Sequence, residues 1–231
     1  MSNKGTVWIV SALPVESRAV RKRLSIESTI HSSPFHYWCG EHQDSGRSVA
    51  ILVTGSGENA VRHATGQLRQ RIAHADALIL IGACGALDPR LSVGENIVPS
   101  QVFLESGEKL VLNQRLIQTL MTVRPAHVSL ATGDIVTSHK DVQSPDEKSA
   151  LLKKLGVASI DRESYIWTDI CHGLGVPCVV MKSVVDTADE TVVAPEATPP
   201  PEAVSFDVLN SRLEAGAVLQ ADWLEKYLEV S

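Results

Sequence analysis

Cysteine is scarce and unpatterned in this 231-residue chain. The four cysteines, Cys39, Cys84, Cys171 and Cys178, form no C-x-x-C pair and no zinc-ligand spacing, which argues against a disulfide framework or a zinc ribbon. Three of them stand in apolar context, where free buried Cys is common. That usage fits a reducing, cytoplasmic compartment. No apolar run approaches the length needed to cross a bilayer. The opening stretch, "MSNKGTVWIVSALPVE", is short and runs into Glu16, so it reads as a first strand rather than a signal peptide. Clusters of positive charge are missing too. The 21 Lys and Arg are scattered among 27 Asp and Glu, for a net charge of -6. No footprint for nucleic acid or an anionic membrane surface is visible, and neither is expected as a partner. The eight histidines fall into no H-E-x-x-H or H-x-x-E-H pattern, so no metal is expected. "TGSGENA" holds a G-x-G turn before a helix but lacks the third glycine of a dinucleotide fingerprint, and no G-x-S-x-G elbow occurs. No cofactor is expected.

What is present is an alternation. With 44% of its residues hydrophobic, the chain can bury a substantial core, and residues 1–231 fit one larger α/β domain. The spacing predicts strands over 7–11, 49–54, 77–81, 96–102, 127–131, 158–160 and 178–185. It predicts helices over 15–24, 113–123, 144–155, 165–174 and 207–228, and another after the glycine turn in "GSGENAVRHATGQLRQRI". Pro145 falls in a first helical turn, where proline is tolerated. The proline-rich "APEATPPPEA" reads as a surface loop. Strands spaced by helices imply crossovers and a mostly parallel or mixed sheet covered on both faces. Ligands of such sheets bind beyond the carboxyl ends of the strands.

Three acids occupy such ends. Glu16 follows the first strand in "IVSALPVE", Glu163 follows a short one in "ASIDRES", and Asp186 closes the long apolar run in "KSVVD". Singly, each has a plain explanation. Glu16 and Glu163 suit the first turn of a helix, where the dipole favours a negative charge, and Asp186 suits an N-cap. Together they are candidates for one crevice.

In order and spacing, "IVSALPVES", "ILVTGSGENAVRHAT", "LILIGACGALDPRLSVGENIVPSQV", "ATGDIVTS" and "ASIDRESYIWTDICHGLGVPCVVMKSVVDTADE" resemble the nucleoside phosphorylase / methylthioadenosine–adenosylhomocysteine nucleosidase superfamily. The resemblance implies a single α/β domain with a central mixed, partly barrel-like sheet flanked by helices. It also implies a homodimer or higher homo-oligomer and a small nucleoside as substrate. By position, Asp186 matches the general acid that protonates the purine, Glu163 the acid that grips the ribose hydroxyls, and Glu16 the acid that activates water. Arg162, Val136, Thr137, Ala83 and Gly85 match positions against the nucleoside.

The departures from the family pattern bear on the reaction. Where phosphorylases of the family hold phosphate with arginine and serine in "R-V-G-S-C-G", this chain has Leu80 and Ala83. A dianion would lack its charge-assisted donors, so water is the expected nucleophile. Arg162 replaces an apolar residue between two acids, and Val136 stands where an aromatic often stacks on the base. Val185 replaces the serine before the acid, and Pro195, Pro199, Pro200 and Pro201 interrupt a region that is commonly helical. A phosphorolytic enzyme that uses Arg162 for phosphate, and a nucleoside-binding protein without activity, remain as alternatives. These changes also leave the base and the 5′ group of the substrate open.

Overall fold

The computed structural model describes residues 5–26, 29–32, 35–193 and 203–231. The proline-rich stretch lies outside the described residues. The chain begins with β1 (Thr6–Ser11), α1 (Pro14–Leu24), β2 (Thr29–Ser32), β3 (Phe35–His42), β4 (Arg47–Val53), α2 (Glu58–Ile72) and β5 (Ala75–Leu80). It continues through β6 (Ala83–Ala86), β7 (Asn96–Ile97), β8 (Gln101–Leu104), β9 (Lys109–Val111), α3 (Gln114–Thr122), β10 (Leu130–Ala131) and β11 (Ile135–Thr137). It ends with α4 (Pro145–Leu155), β12 (Ser159–Asp161), α5 (Ser164–Leu174), β13 (Cys178–Val180), β14 (Lys182–Asp186) and α6 (Phe206–Val230). Among the described residues no helix is long and apolar enough to cross a membrane.

Two mixed sheets result. The first runs β13-β5-β1-β4-β3-β2 and the second β10-β7-β14-β6-β12-β11-β8-β9. In the first, β13, β5, β1 and β4 are parallel, β3 runs antiparallel to β4, and β2 runs antiparallel to β3. Period-2 alternation sends neighbouring residues into different cores. Val7 and Ile9 pack with Val20, Leu24, Trp223 and Leu224 of α1 and α6. Trp8 and Val10 pack with Val61, Leu68, Trp167 and Cys171 of α2 and α5, and with Cys84, Ile135 and Val184 of the second sheet.

The single strand expected over 178–185 is two strands that belong to different sheets. The break shows no turn residue because the backbone pairing carries on through it. Met181 N donates to Leu80 O at 2.8 Å and Ser183 N to Gly82 O at 2.8 Å, so the β13/β5 pair bends directly into β14/β6. The strand expected over 96–102 is likewise divided into β7 and β8, separated by Pro99, which has no N–H for a ladder. Only Leu130–Ala131 of the strand expected over 127–131 is extended and paired. Strands β2, β3, β6, β9 and β11 were not anticipated from the sequence.

Candidate active site

The bend turns at Gly82, whose φ of +131° is open to glycine and strained for other residues. The corner stays narrow because Glu16, from the first turn of α1, fills it. A Cβ at Gly82 would stand 2.6 Å from Glu16 Oε1. Glu16 Oε2 accepts from the amides of Ala12 (3.0 Å) and Leu13 (2.8 Å), and Oε1 accepts from Ala83 N at 3.0 Å. The helix-start explanation therefore holds in part, because the Leu13 amide is an N-terminal donor of α1. The Ala83 bond lies outside it and ties the acid to the corner. Burial pushes the Glu16 carboxyl above its ordinary range, against the pull of Lys182 and the Leu13 amide. Gly82→Ala is expected to lower stability by about 1–3 kcal/mol through backbone strain and this collision. The midpoint of chemical denaturation measures it; an unchanged midpoint would refute the assigned packing.

Glu163 is the residue before α5, but it caps no amide of its own helix. Its Oε1 accepts from Ser56 Oγ and Gly57 N, both at 2.7 Å, at the glycine turn that opens α2. Its neighbour Asp161 accepts from Thr137 Oγ1 at 2.9 Å and from the backbone and hydroxyl of Ser164. Between these acids lies Lys182, fully buried at the start of β14. Its Nζ is 3.2 Å from Asp161 Oδ2 and 3.9 Å from Glu163 Oε2. Burial opposes the ammonium, but Asp161, Glu163 and Glu16 together outweigh it and hold the lysine pKa above its ordinary range. Burial likewise raises Glu163, with Lys182 pulling the other way.

Asp186 ends β14. A register shift between Val184 and Asp186 sets it opposite Gly85, where a Cβ would lie 2.9 Å from Oδ2. It is part of a strand and caps no helix. Its Oδ2 receives Lys148 Nζ at 2.5 Å, an ion pair that is almost wholly buried. Burial raises the Asp186 carboxyl and Lys148 draws it back down.

Two adjoining cavities open at these groups. One, of about 200 Å³, is lined by Glu16, Ser56, Ala83, Asp161 and Glu163 among others. The other, of about 350 Å³, is lined by Asp186 and by apolar Val142, Val192, Val193, Phe206 and Leu209. Both share Gly85, Ile160, Asp161, Arg162 and Leu213, so they form one cleft. The three acids read from strand ends thus meet in it, with Ala83 and Gly85. Arg162 stands where the two cavities join, and its guanidinium pairs with Asp141 and donates to His139 O.

Val136 and Thr137 do not reach the cleft, which corrects their expected place against the nucleoside. Val136 is fully buried against Leu87, Val157 and Ile160. Thr137 is 1% exposed, and its hydroxyl is taken up by Asp161 and by the Tyr165 amide. Both lie in β11, one strand behind β12, where Thr137 positions Asp161. Lys182, Lys148 and Ser56 escaped the sequence reading, and Asp161 entered it only as one of the two acids flanking Arg162. Lys182 had a signal, a cation inside the apolar "VVMKSVVD". Lys148, in the helical "SPDEKSALLKKL", had none. Among the described residues no group of three or more His, Cys, Asp or Glu is arranged to hold a metal ion.

Comparison with known proteins agrees with this architecture. A 5′-methylthioadenosine/S-adenosylhomocysteine nucleosidase of Pseudoalteromonas translucida is 24% identical over 205 residues, 79% of this chain and 84% of that protein. An aminodeoxyfutalosine nucleosidase of Helicobacter pylori is 28% identical over 133 residues, 58% of this chain and 50% of that protein. Among solved structures, futalosine hydrolase of Helicobacter pylori superposes with a TM-score of 0.83 at 17% identity, covering 98% of both chains. A Helicobacter pylori 5′-methylthioadenosine/S-adenosylhomocysteine nucleosidase bound to butyl-thio-DADMe-Immucillin-A gives 0.84 at 16% identity over all of both chains. The expected nucleoside phosphorylase-like fold is therefore present. The family model described as "Phosphorylase superfamily" matches residues 6–220, and the chain belongs to that superfamily.

Proposed function

We propose that the protein is a nucleosidase that hydrolyses the N-glycosidic bond of a purine nucleoside carrying a modified 5′ group. The observation that carries this reading is the occupancy of the cleft's donors. The amides of Ala12, Leu13 and Ala83, which would suit an anion, all donate to Glu16. Among the described residues lining the cleft, each cation already faces a carboxylate, Arg162 facing Asp141 and Lys140 facing Glu147 at 3.9 Å, and the buried Lys182 faces Asp161. Of the Arg162 donors only Nε is without a partner, and the guanidinium charge is already shared with Asp141, so a phosphate dianion would enter a pocket of carboxylates with little to hold it. Water carries no such penalty.

The chemistry then divides among three acids. Cleavage builds positive charge on the sugar and negative charge on the departing base. Asp186 gives a proton to the base. Glu163, fixed by Ser56 and Gly57, takes the ribose hydroxyls and stabilises the cationic sugar. Glu16, raised by burial, accepts a proton from the attacking water. Lys182 holds Asp161 and Glu163 in one cluster. The apolar half of the cleft suits a base and a thioether of the kind named in the relatives. Residues 1–231 act in this reading as one domain. A homo-oligomer belongs to it, because Leu13 (37% exposed) and Phe206 (59% exposed) present apolar surface at the cleft that a second copy would cover. The four free cysteines accord with a cytoplasmic setting.

The test is a panel of purine nucleosides, including 5′-methylthioadenosine and S-adenosylhomocysteine, assayed for free base and sugar with and without phosphate. Base and free sugar in equal amounts, at a rate indifferent to phosphate, are expected. Ribose 1-phosphate formed only when phosphate is added would replace hydrolysis by phosphorolysis through Arg162. Tight binding without turnover would make the protein a nucleoside binder.

A further inference from the structure

The mechanism above uses Asp186 and leaves Lys148 unexplained. Lys148 has no solvent exposure, and its three ammonium protons are all committed. They go to Asp186 Oδ2 at 2.5 Å, Thr187 O at 2.7 Å and Glu190 O at 2.9 Å. It sits in the first turns of α4, where a positive charge opposes the helix dipole. The helix start is already secured by the Ser144–Glu147 capping box and Pro145. Neither helix stability nor solubility accounts for a lysine here, and an apolar side chain would cover the same volume without desolvating an ammonium.

We propose that Lys148 is the positioning residue of the Asp186 acid: it pins Oδ2 and leaves Oδ1 facing the cleft. The inference rests on the nucleosidase reading. In the acid step the proton leaves the Asp186 carboxyl for a ring nitrogen of the base, and the electron pair of the glycosidic bond departs with the base. The carboxylate left behind is the anion that the Lys148 ammonium holds. The other charged groups around Asp186 do not duplicate this. Arg212 of α6 is engaged by Glu190 at 2.8 and 2.9 Å and by Val185 O, so these two charges largely offset each other. Cys84 of β6 is a neutral thiol, which burial holds above its ordinary pKa. Across the cleft, Arg162 pairs with Asp141, Asp161 with Lys182, and Lys140 with Glu147.

Lys148→Met and Lys148→Arg separate this role from a merely structural one. Because Lys148 draws the Asp186 carboxyl down, its loss lets burial act alone and the carboxyl titrates higher. In Lys148→Met the basic limb of kcat/KM is expected to move up by about one pH unit or more. Its kcat should drop by about tenfold, with KM changed by less than about threefold. Lys148→Arg should return the limb toward its wild-type place. A folded Lys148→Met protein with an unmoved limb overturns the proposal. The same question is asked without turnover by following the Asp186 carboxyl carbon by NMR through a pH titration. Wild type is compared with Lys148→Met, or with Lys148→Gln if the methionine variant does not fold, and the signal is assigned by its loss in Asp186→Asn. A higher midpoint in the variant supports the proposal and an equal midpoint ends it, even if no nucleoside tested is a substrate.

Discussion

Asp186→Asn is expected to lower base release by about 10²–10⁴-fold, the usual contribution of a positioned general acid, while the protein still folds and binds nucleoside. The amide keeps the shape of the carboxyl and can still accept from Lys148, so the corner beside Gly85 remains filled. What it cannot do is supply an acidic proton as the glycosidic bond opens. The pH profile sharpens the test. In the wild type, activity should fall at low pH as Glu16 becomes protonated, and at high pH as Asp186 loses its proton. Burial raises both groups, so both limbs should lie above the ordinary carboxylate range. Asp186→Asn should keep the acid limb and lose the basic one in whatever residual rate is measured. It leaves the Lys148 charge without its counter-ion but with Thr187 O and Glu190 O still accepting from it, so stability should drop by about 1–3 kcal/mol, less than for a buried charge stripped of its acceptors. Circular dichroism and a denaturation midpoint report that separately from turnover. A folded variant with near-wild-type kcat would remove Asp186 from the chemistry.

The parts of this site that were legible in the sequence were those carried by local pattern. Glu16, Glu163 and Asp186 each follow an apolar run, and a strand end is where a ligand of an open α/β sheet lies. Helix limits were read to within a residue or two because "SPDEK" and "LGV" carry cap chemistry: Ser144 and Pro145 at the start of α4, and Gly156 at its end with φ of 68°. The bend at Gly82 and Met181 was not legible. No proline, glycine or other turn residue interrupts 178–185, the polar pair Lys182–Ser183 marks no turn, and the strand changes sheets with its pairing intact. The lysines were missed for opposite reasons. Lys182 was visible as a cation in a buried run, yet its partners lie about twenty residues earlier and at the other end of the chain. Lys148 looks like any solvated helical lysine until β14 is brought against α4. Val136 shows the reverse error: a motif position suggested contact with the base, and strand order placed it behind the cleft.

Lys182 is where the largest loss of stability is expected. Its ammonium has 1% side-chain exposure and is the cation shared by Asp161, Glu163 and, at longer range, Glu16. Lys182→Met keeps the unbranched apolar stem, one atom shorter, and removes the charge. Asp161 and Glu163 would then share one buried site with no cation between them, and breaking a buried pair in this way costs about 3–5 kcal/mol. The pH dependence of that loss has a definite sign. Lys182 lowers both Glu16 and Glu163, so without it burial and mutual repulsion raise these carboxyls further. A carboxyl whose folded pKa lies above its unfolded one binds protons more tightly in the native state, so stability falls as pH rises through that range. The deficit of Lys182→Met should therefore be greatest near neutral pH and above, and should shrink as pH falls through the raised carboxylate range. In the wild type, the raised lysine pKa gives a contribution that is complete below the unfolded lysine pKa and is lost only as pH rises through the higher folded value. Across the pH range of the comparison it is constant, so the change with pH belongs to the carboxylates. Urea midpoints of the two proteins, taken from mildly acidic to mildly alkaline pH, measure the difference. A deficit that does not vary with pH would mean that Lys182 acts by packing, and that the sugar end of the cleft is not organised around its charge.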